Sequence, residues 1–155
     1  MHRKRSVPLV IGLSVAAAVL GGAPVAHADQ TFHTTRYALF SVEDRSVHGS
    51  VIDIHAQGPT IYAQERYALR NVGPGQTYVM NLSAYRDPGC SNLVVSVTGT
   101  ATMTANVAGN AQGATTFAPA AVAGLPRQTY FLRWQVTDRT GAVAYQTDCV
   151  AVALD

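Results

Sequence analysis

The sequence predicts an all-β domain: an immunoglobulin-like or Greek-key β-sandwich of eight or nine short strands with one disulfide. Three observations carry that prediction. Apolar and polar residues alternate in short runs, the pattern of strands with one buried face. Clusters of Gly, Pro, Asn and Asp separate the runs at intervals of about ten to twelve residues. No stretch keeps a 3.6-residue apolar period long enough for a convincing helix.

The part that folds begins after a targeting segment. Arg3, Lys4 and Arg5 form a basic start, Val7 to Ala23 is apolar, and Ala26-His27-Ala28 places small residues where a signal peptidase reads them. Residues 1–28 are therefore expected to be a cleaved secretory signal, and residues 29–155 a single secreted domain. The alternative, a retained anchor, fits less well, because the apolar run is short of the roughly 20 residues of a span and is broken by Gly21, Gly22 and Pro24. No Cys lies near the cut for a lipid anchor, and the basic cluster lacks a consecutive Arg pair, which favours the general secretory route.

Within the domain, Asp29 to Thr35 reads as a loose arm, Tyr37 to Val42 as a first strand and Val47 to Ala56 as a second, ended by Gly58-Pro59. Ile61 to Val72 fits either a short helix or a strand, since Gln64-Glu65-Arg66 is helix-friendly. A strand at Arg66 to Val72 is preferred, because Gly73-Pro74-Gly75 follows at once and Thr77 to Tyr85 is plainly β. Arg86-Asp87-Pro88-Gly89 is a tight turn leading to Cys90. Leu93 to Thr104 is a Val- and Thr-rich strand in which Gly99 suggests a bulge or a break. Turn residues between Asn106 and Gly113 precede a short strand at Ala114 to Phe117, and Ala118 to Arg127 is a loop with room for one helical turn.

The chain ends in a hairpin, Gln128 to Leu154, turning at Asp138-Arg139-Thr140-Gly141. Tyr130, Leu132, Trp134 and Val136 share one face, which makes the only Trp the centrepiece of the core. The return strand changes phase near Cys149, the signature of a bulge or bend. With two cysteines in an exported domain, Cys90 and Cys149 are expected to pair.

Charge excludes some functions. From Asp29 onward there are eight arginines, no lysine and nine acids, a formal charge of −1. A near-neutral domain with no basic run argues against nucleic acid and against an anionic membrane surface once the signal is gone. The oligomeric state is not legible, and no cofactor motif is present.

Catalytic motifs are likewise missing: there is no Gly-x-Ser-x-Gly elbow, phosphate-binding glycine loop or His-Glu-x-x-His. The best metal or acid/base candidates are His48, Asp53 and His55. Asp53 and His55 stand two apart on one strand, so their side chains leave the same face and could share a metal ion or a proton. His48 joins them only if Gly49 bulges the chain. Against this stands a plainer reading in which Asp53 and His55 form the polar outer face of an edge strand, with Ile52 and Ile54 turned inward. Phe131, Arg133 and Gln135 form a second candidate, an aromatic–basic stripe suited to a protein or glycan partner. Asn81-Leu82-Ser83 matches a glycosylation sequon, read here as ordinary strand.

Thr77-Tyr78 ahead of Cys90, then Thr104-Ala105-Asn106 and Gly109-Asn110-Ala111, resemble small secreted immunoglobulin-like domains, among them the apoproteins that carry enediyne antibiotics. Those typically have two disulfides where this chain can form one, and the resemblance carries over no residue role. The leading expectation is a secreted, non-enzymatic binding module. Two alternatives stand beside it: an inhibitor or effector acting through the loop Arg86 to Asn92, and a metal-dependent or hydrolytic enzyme using Asp53 and His55.

Overall fold

The described residues form nine antiparallel strands: β1 (His33–Ser41), β2 (Val47–His55), β3 (Ala63–Leu69), β4 (Thr77–Tyr85), β5 (Leu93–Thr104), β6 (Ala111–Phe117), β7 (Thr129–Thr137), β8 (Val143–Gln146) and β9 (Val150–Ala153). The structure is a computed structural model and describes residues 33–55 and 60–154. The signal segment 1–28 and the Gly58-Pro59 stop lie outside the described residues. Hydrogen bonding runs in the order β5-β4-β7-β8-β1-β2-β3-β6, with β9 added to β7. The result is an all-β, nearly closed, barrel-like sheet. Among the described residues no helix is long and apolar enough to cross a membrane.

Two parts of this sheet are joined by one short strand. β8 pairs with β7 through Gln135↔Gln146 and Val136↔Tyr145, and with β1 through Phe40↔Gln146 and Ser41↔Tyr145. The terminal hairpin is therefore more than a hairpin. After β8 the chain leaves β7 and returns to it as β9, with Leu132↔Val150 and Tyr130↔Val152 in register. The phase change seen in the sequence is this departure. Thr147 manages it, because its N–H donates to Trp134 O at 3.0 Å and its hydroxyl oxygen accepts the Trp134 N–H at 3.2 Å. The backbone groups of β7 thus stay satisfied where the ladder is interrupted.

The disulfide between Cys90 and Cys149 ties the turn before β5 to the start of β9, with Cα atoms 5.9 Å apart. Cys90 takes a positive φ of 51°, unusual for a residue with a side chain. Its position is held by Asp87, whose carbonyl accepts the Cys90 N–H and whose carboxyl accepts N–H groups of Gly89, Ser91 and Asn92.

The core follows the period-2 pattern. Leu39, Val51, Tyr67, Leu69, Met80, Met103, Trp134 and Val136 are the inward residues that water barely reaches. Burying each aliphatic side chain contributes about 1.5–3 kcal/mol, and Trp134 at 0% exposure is the largest among them. Two glycines shape the sheet around this core. A Cβ on Gly113 of β6 would meet Met103 Cγ at 2.8 Å and Ala101 Cβ at 3.1 Å, so its hydrogen lets the inner face of β5 lie directly on β6. Gly99, at φ 70°, makes the expected bulge. Met80 pairs with Ala101, Leu82 with Val97, and the excess residues loop out of β5. Asn81 of the sequon braces that bulge, its Oδ1 accepting the Gly99 N–H at 2.9 Å.

Three strands begin earlier than the sequence reading placed them. β1 starts at His33, so Thr34 and Thr35 of the presumed arm belong to the strand. β3 covers Ala63–Leu69, beginning before the expected Arg66. β6 starts at Ala111, while the loop after it holds a single 3-10 turn at Pro119–Ala121.

Candidate functional site

The bulge at Gly99 divides β5 into two unlike halves. Beyond it, Ala101 and Met103 point inward and are buried against β6. Before it, Leu93, Val95 and Val97 are exposed by 54%, 38% and 41%. Val95 and Val97 lie opposite Ala84 and Leu82, inward-facing residues of β4, and so belong to the inner face. The barrel-like sheet is thus filled at one end and open at the other. The opening is a cleft of about 110 Å³, walled by Leu82, Ala84, Val95, Val97, Leu132 and Val152. Ala121, Val122 and Leu125, from the loop after β6, form part of the same wall.

Polar groups meet at the inner end of this apolar cleft. Asp53 and His55 of β2 and Glu65 of β3 all line it, and they are 3%, 6% and 3% exposed. This overturns the edge-strand reading of β2. The strand lies between β1 and β3, and its inward phase is Val51, Asp53 and His55, while Ile52 and Ile54 are only half-buried on the other face. His55 Nε2 is 3.0 Å from Asp53 Oδ2, and the His55 ring meets Tyr62 edge-on at 5.3 Å. Glu65 Oε2 accepts hydrogen bonds from the Tyr67 hydroxyl and from Trp134 Nε1, the latter at 2.8 Å. Asp53 and Glu65 are direct cross-strand partners. Two acids opposite one another on a buried face oppose folding unless a proton or a cation intervenes.

The cost falls on Glu65. Burial pushes its carboxyl up to about 7 from an ordinary 4.5; the Tyr67 and Trp134 hydrogen bonds pull the other way, and the nearby Asp53 adds to the rise. The Tyr67 hydroxyl is held well above its usual range by the same burial and by Glu65 itself. Between 4.5 and 7 the folded chain holds a proton that the unfolded chain has released. Stability therefore falls as pH rises through that window, by about 3 kcal/mol from this group alone. Urea unfolding at pH 4 and pH 8 is expected to show the loss in the wild type. In Glu65→Gln, which still accepts from Trp134 and Tyr67, the difference is expected to shrink by that amount. Asp53 and His55 are present in both proteins, so the comparison isolates Glu65. An unchanged difference would place the titration elsewhere.

No protein-family model, curated protein or solved structure matches this chain.

The remaining candidates lie apart from the cleft. His48 stands at the start of β2, where the β1–β2 register skips from Leu39↔Gly49 to Phe40↔Val47. The bulge needed at Gly49 exists, yet it does not bring His48 to Asp53 and His55. Its ring nitrogens are within hydrogen-bonding distance of Ser46 Oγ at 2.9 Å and Arg70 O at 3.2 Å, and the ring packs against Tyr145. Among the described residues no group of three or more His, Cys, Asp or Glu stands where it could hold a metal ion. Phe131, Arg133 and Gln135 share the outer face of β7 but are half-buried, less open than a free stripe. Gln135 donates to Gln146, and the buried Arg133 Nε meets no described acceptor. In the loop Arg86 to Asn92, the Asp87 carboxyl is held below its usual range, first of all by the Asn92 N–H. It is engaged in building the loop.

Glu65 is the functional candidate that the sequence reading passed over. Its signal was present: Ala63, Glu65, Tyr67 and Leu69 alternate with Gln64, Arg66, Ala68 and Arg70. Extending the strand upstream of Arg66 places a carboxyl in the apolar phase.

Proposed function

We propose that this chain is an exported, non-enzymatic binding protein whose cleft takes a small, mostly apolar molecule. One observation carries the reading. Val95 and Val97 sit in the inward phase of β5 and yet are open to solvent, so part of the sheet's inner face is uncovered. A concave, largely apolar site with a few convergent polar groups is the usual form of a small-ligand pocket. The disulfide and the basic–apolar start of the chain support export. The finer description of the fold belongs to the same proposal: β5-β4-β7 and β1-β2-β3-β6 act as the two layers of an immunoglobulin-like sandwich, bridged by β8.

The test is saturable binding of a neutral apolar dye, N-phenyl-1-naphthylamine, read by its fluorescence. One dye per chain is expected in the wild type. Val97→Arg, which plugs the mouth at a half-open position, is expected to abolish it while leaving the circular dichroism spectrum unchanged. Equal binding by the two proteins would sink the proposal.

A second reading is favoured by the Asp53–His55 contact and by a carboxyl near 7, the equipment of an acid/base enzyme. None of the described residues lining the cleft is Ser, Thr or Cys, so covalent catalysis through those nucleophiles has no support there. Turnover of a bound molecule that is lost in His55→Ala would decide for this reading.

A further inference from the structure

The hydrogen-bond ledger at the inner end of the cleft specifies its ligand further, given that the cleft is a binding site at all. Glu65 Oε2 already accepts from two donors, Trp134 Nε1 and the Tyr67 hydroxyl. Asp53 Oδ2 faces His55 Nε2. Asp53 Oδ1 is different: it is shielded from solvent and accepts no hydrogen bond from any described residue. The Asp53 side chain is only 4% exposed and lines the cleft. A buried acceptor without a donor is costly, and an incoming donor removes that cost.

We propose that the cleft selects a small amphiphile with one primary ammonium head, which donates to Asp53 Oδ1, and an apolar tail lying along the Val95–Val97 wall. Three properties of the site favour that head. The inner end holds two carboxyls in cross-strand register, Asp53 and Glu65, so a positive head offsets the repulsion that a neutral one leaves in place. An ammonium carries several donors, where an alcohol carries one. An anionic head would face both acids at once and is rejected. The titratable groups lining the cleft are Asp53, Glu65, His55, Tyr62 and Tyr130, with the Tyr67 hydroxyl behind Glu65 and Tyr37 stacked on Trp134. The walls offer Leu82, Ala84, Leu132 and Val152 and no competing charge, so an alkyl tail replaces water there at about 0.8 kcal/mol per methylene.

The experiment displaces N-phenyl-1-naphthylamine from the full exported chain with four probes of equal chain length: octylamine, N,N,N-trimethyloctylammonium, octanol and octanoate. Octylamine is expected to displace the dye at a concentration on the order of tenfold lower than octanol, with octanoate the weakest. The trimethylated probe keeps the charge and tail but has no N–H, and it is expected to fall several-fold behind octylamine. In Asp53→Asn the preference of octylamine over octanol, each measured against the variant's own dye affinity, is expected to collapse to about twofold, with an unchanged circular dichroism spectrum as proof of folding. If Asp53→Asn does not fold, the primary and trimethylated probes on the wild type decide the matter alone. Equal displacement by octylamine and octanol, or by octylamine and its trimethylated analogue, overturns the assignment. Dye binding with no amine preference defeats this inference and leaves the apolar cleft standing, whereas failure of the dye to bind defeats both.

Discussion

Replacing Trp134 with alanine is expected to destabilise the domain by about 3–5 kcal/mol, the range for emptying a large aromatic site in a core. The indole is 0% exposed and stacks on Tyr37 with ring centroids 5.1 Å apart. Beyond the cavity, the substitution removes the Nε1 donor from Glu65 Oε2. A buried carboxyl that loses a donor is harder to ionise, so the penalty should be larger at pH 8 than at pH 5. Trp134→Phe separates the two effects, because it keeps most of the volume and loses the N–H. Urea unfolding followed by circular dichroism measures both, since removing the only Trp leaves no tryptophan fluorescence to follow. A loss below about 1 kcal/mol for the alanine variant would show that Trp134 does not anchor the core.

Opening the Cys90–Cys149 bond is expected to cost about 4 kcal/mol, the chain-entropy value for a loop of 59 residues. The structure adds where the damage should fall. β9 is a four-residue strand that among the described residues pairs with β7 alone, and the disulfide holds the residue just before it. Val152 of β9 and Leu154 just after it form part of the cleft wall. The double variant Cys90→Ser/Cys149→Ser is therefore expected to unfold at lower urea and also to bind the apolar dye more weakly under conditions where it remains folded. Amide exchange read by mass spectrometry should show the segment from Val150 to Leu154 losing protection first. A variant with the full stability of the wild type would show that the bond does not constrain the chain.

The fold was more legible than the site, for a physical reason. Alternation reports which residues share a face, and turn chemistry reports where strands stop, so β4 and β5 could be read to the residue. Alternation does not say which face is inward when both phases carry apolar residues. On β2 the choice lay between Val51, Asp53 and His55 on one side and Ile52 and Ile54 on the other. Hydrophobicity favoured the isoleucines, yet the neighbours of β2 turned the acid and the histidine inward. Glu65 was missed through the same conflict, a helix-friendly tripeptide overruled by strand pairing with β2 and β6. Polar residues in an inward phase are where local propensity and tertiary structure disagree, and such disagreements collect at functional sites.

The uneven closure of the sheet also bears on how the chain avoids its own kind. β5 and β6 end the hydrogen-bonding order, so among the described residues each has an edge that no strand pairs. Leu93 to Val97 is the more hazardous of the two, because it combines apolar β-branched residues with no charge and no proline, the composition of a segment that recruits another copy edge to edge. The Gly99 bulge interrupts that edge, and the contact of Met103 with Gly113 draws its far half against β6. Both devices protect the filled end of the sheet, so the segment from Leu93 to Val97 is the part of that edge left open to pairing with a second copy.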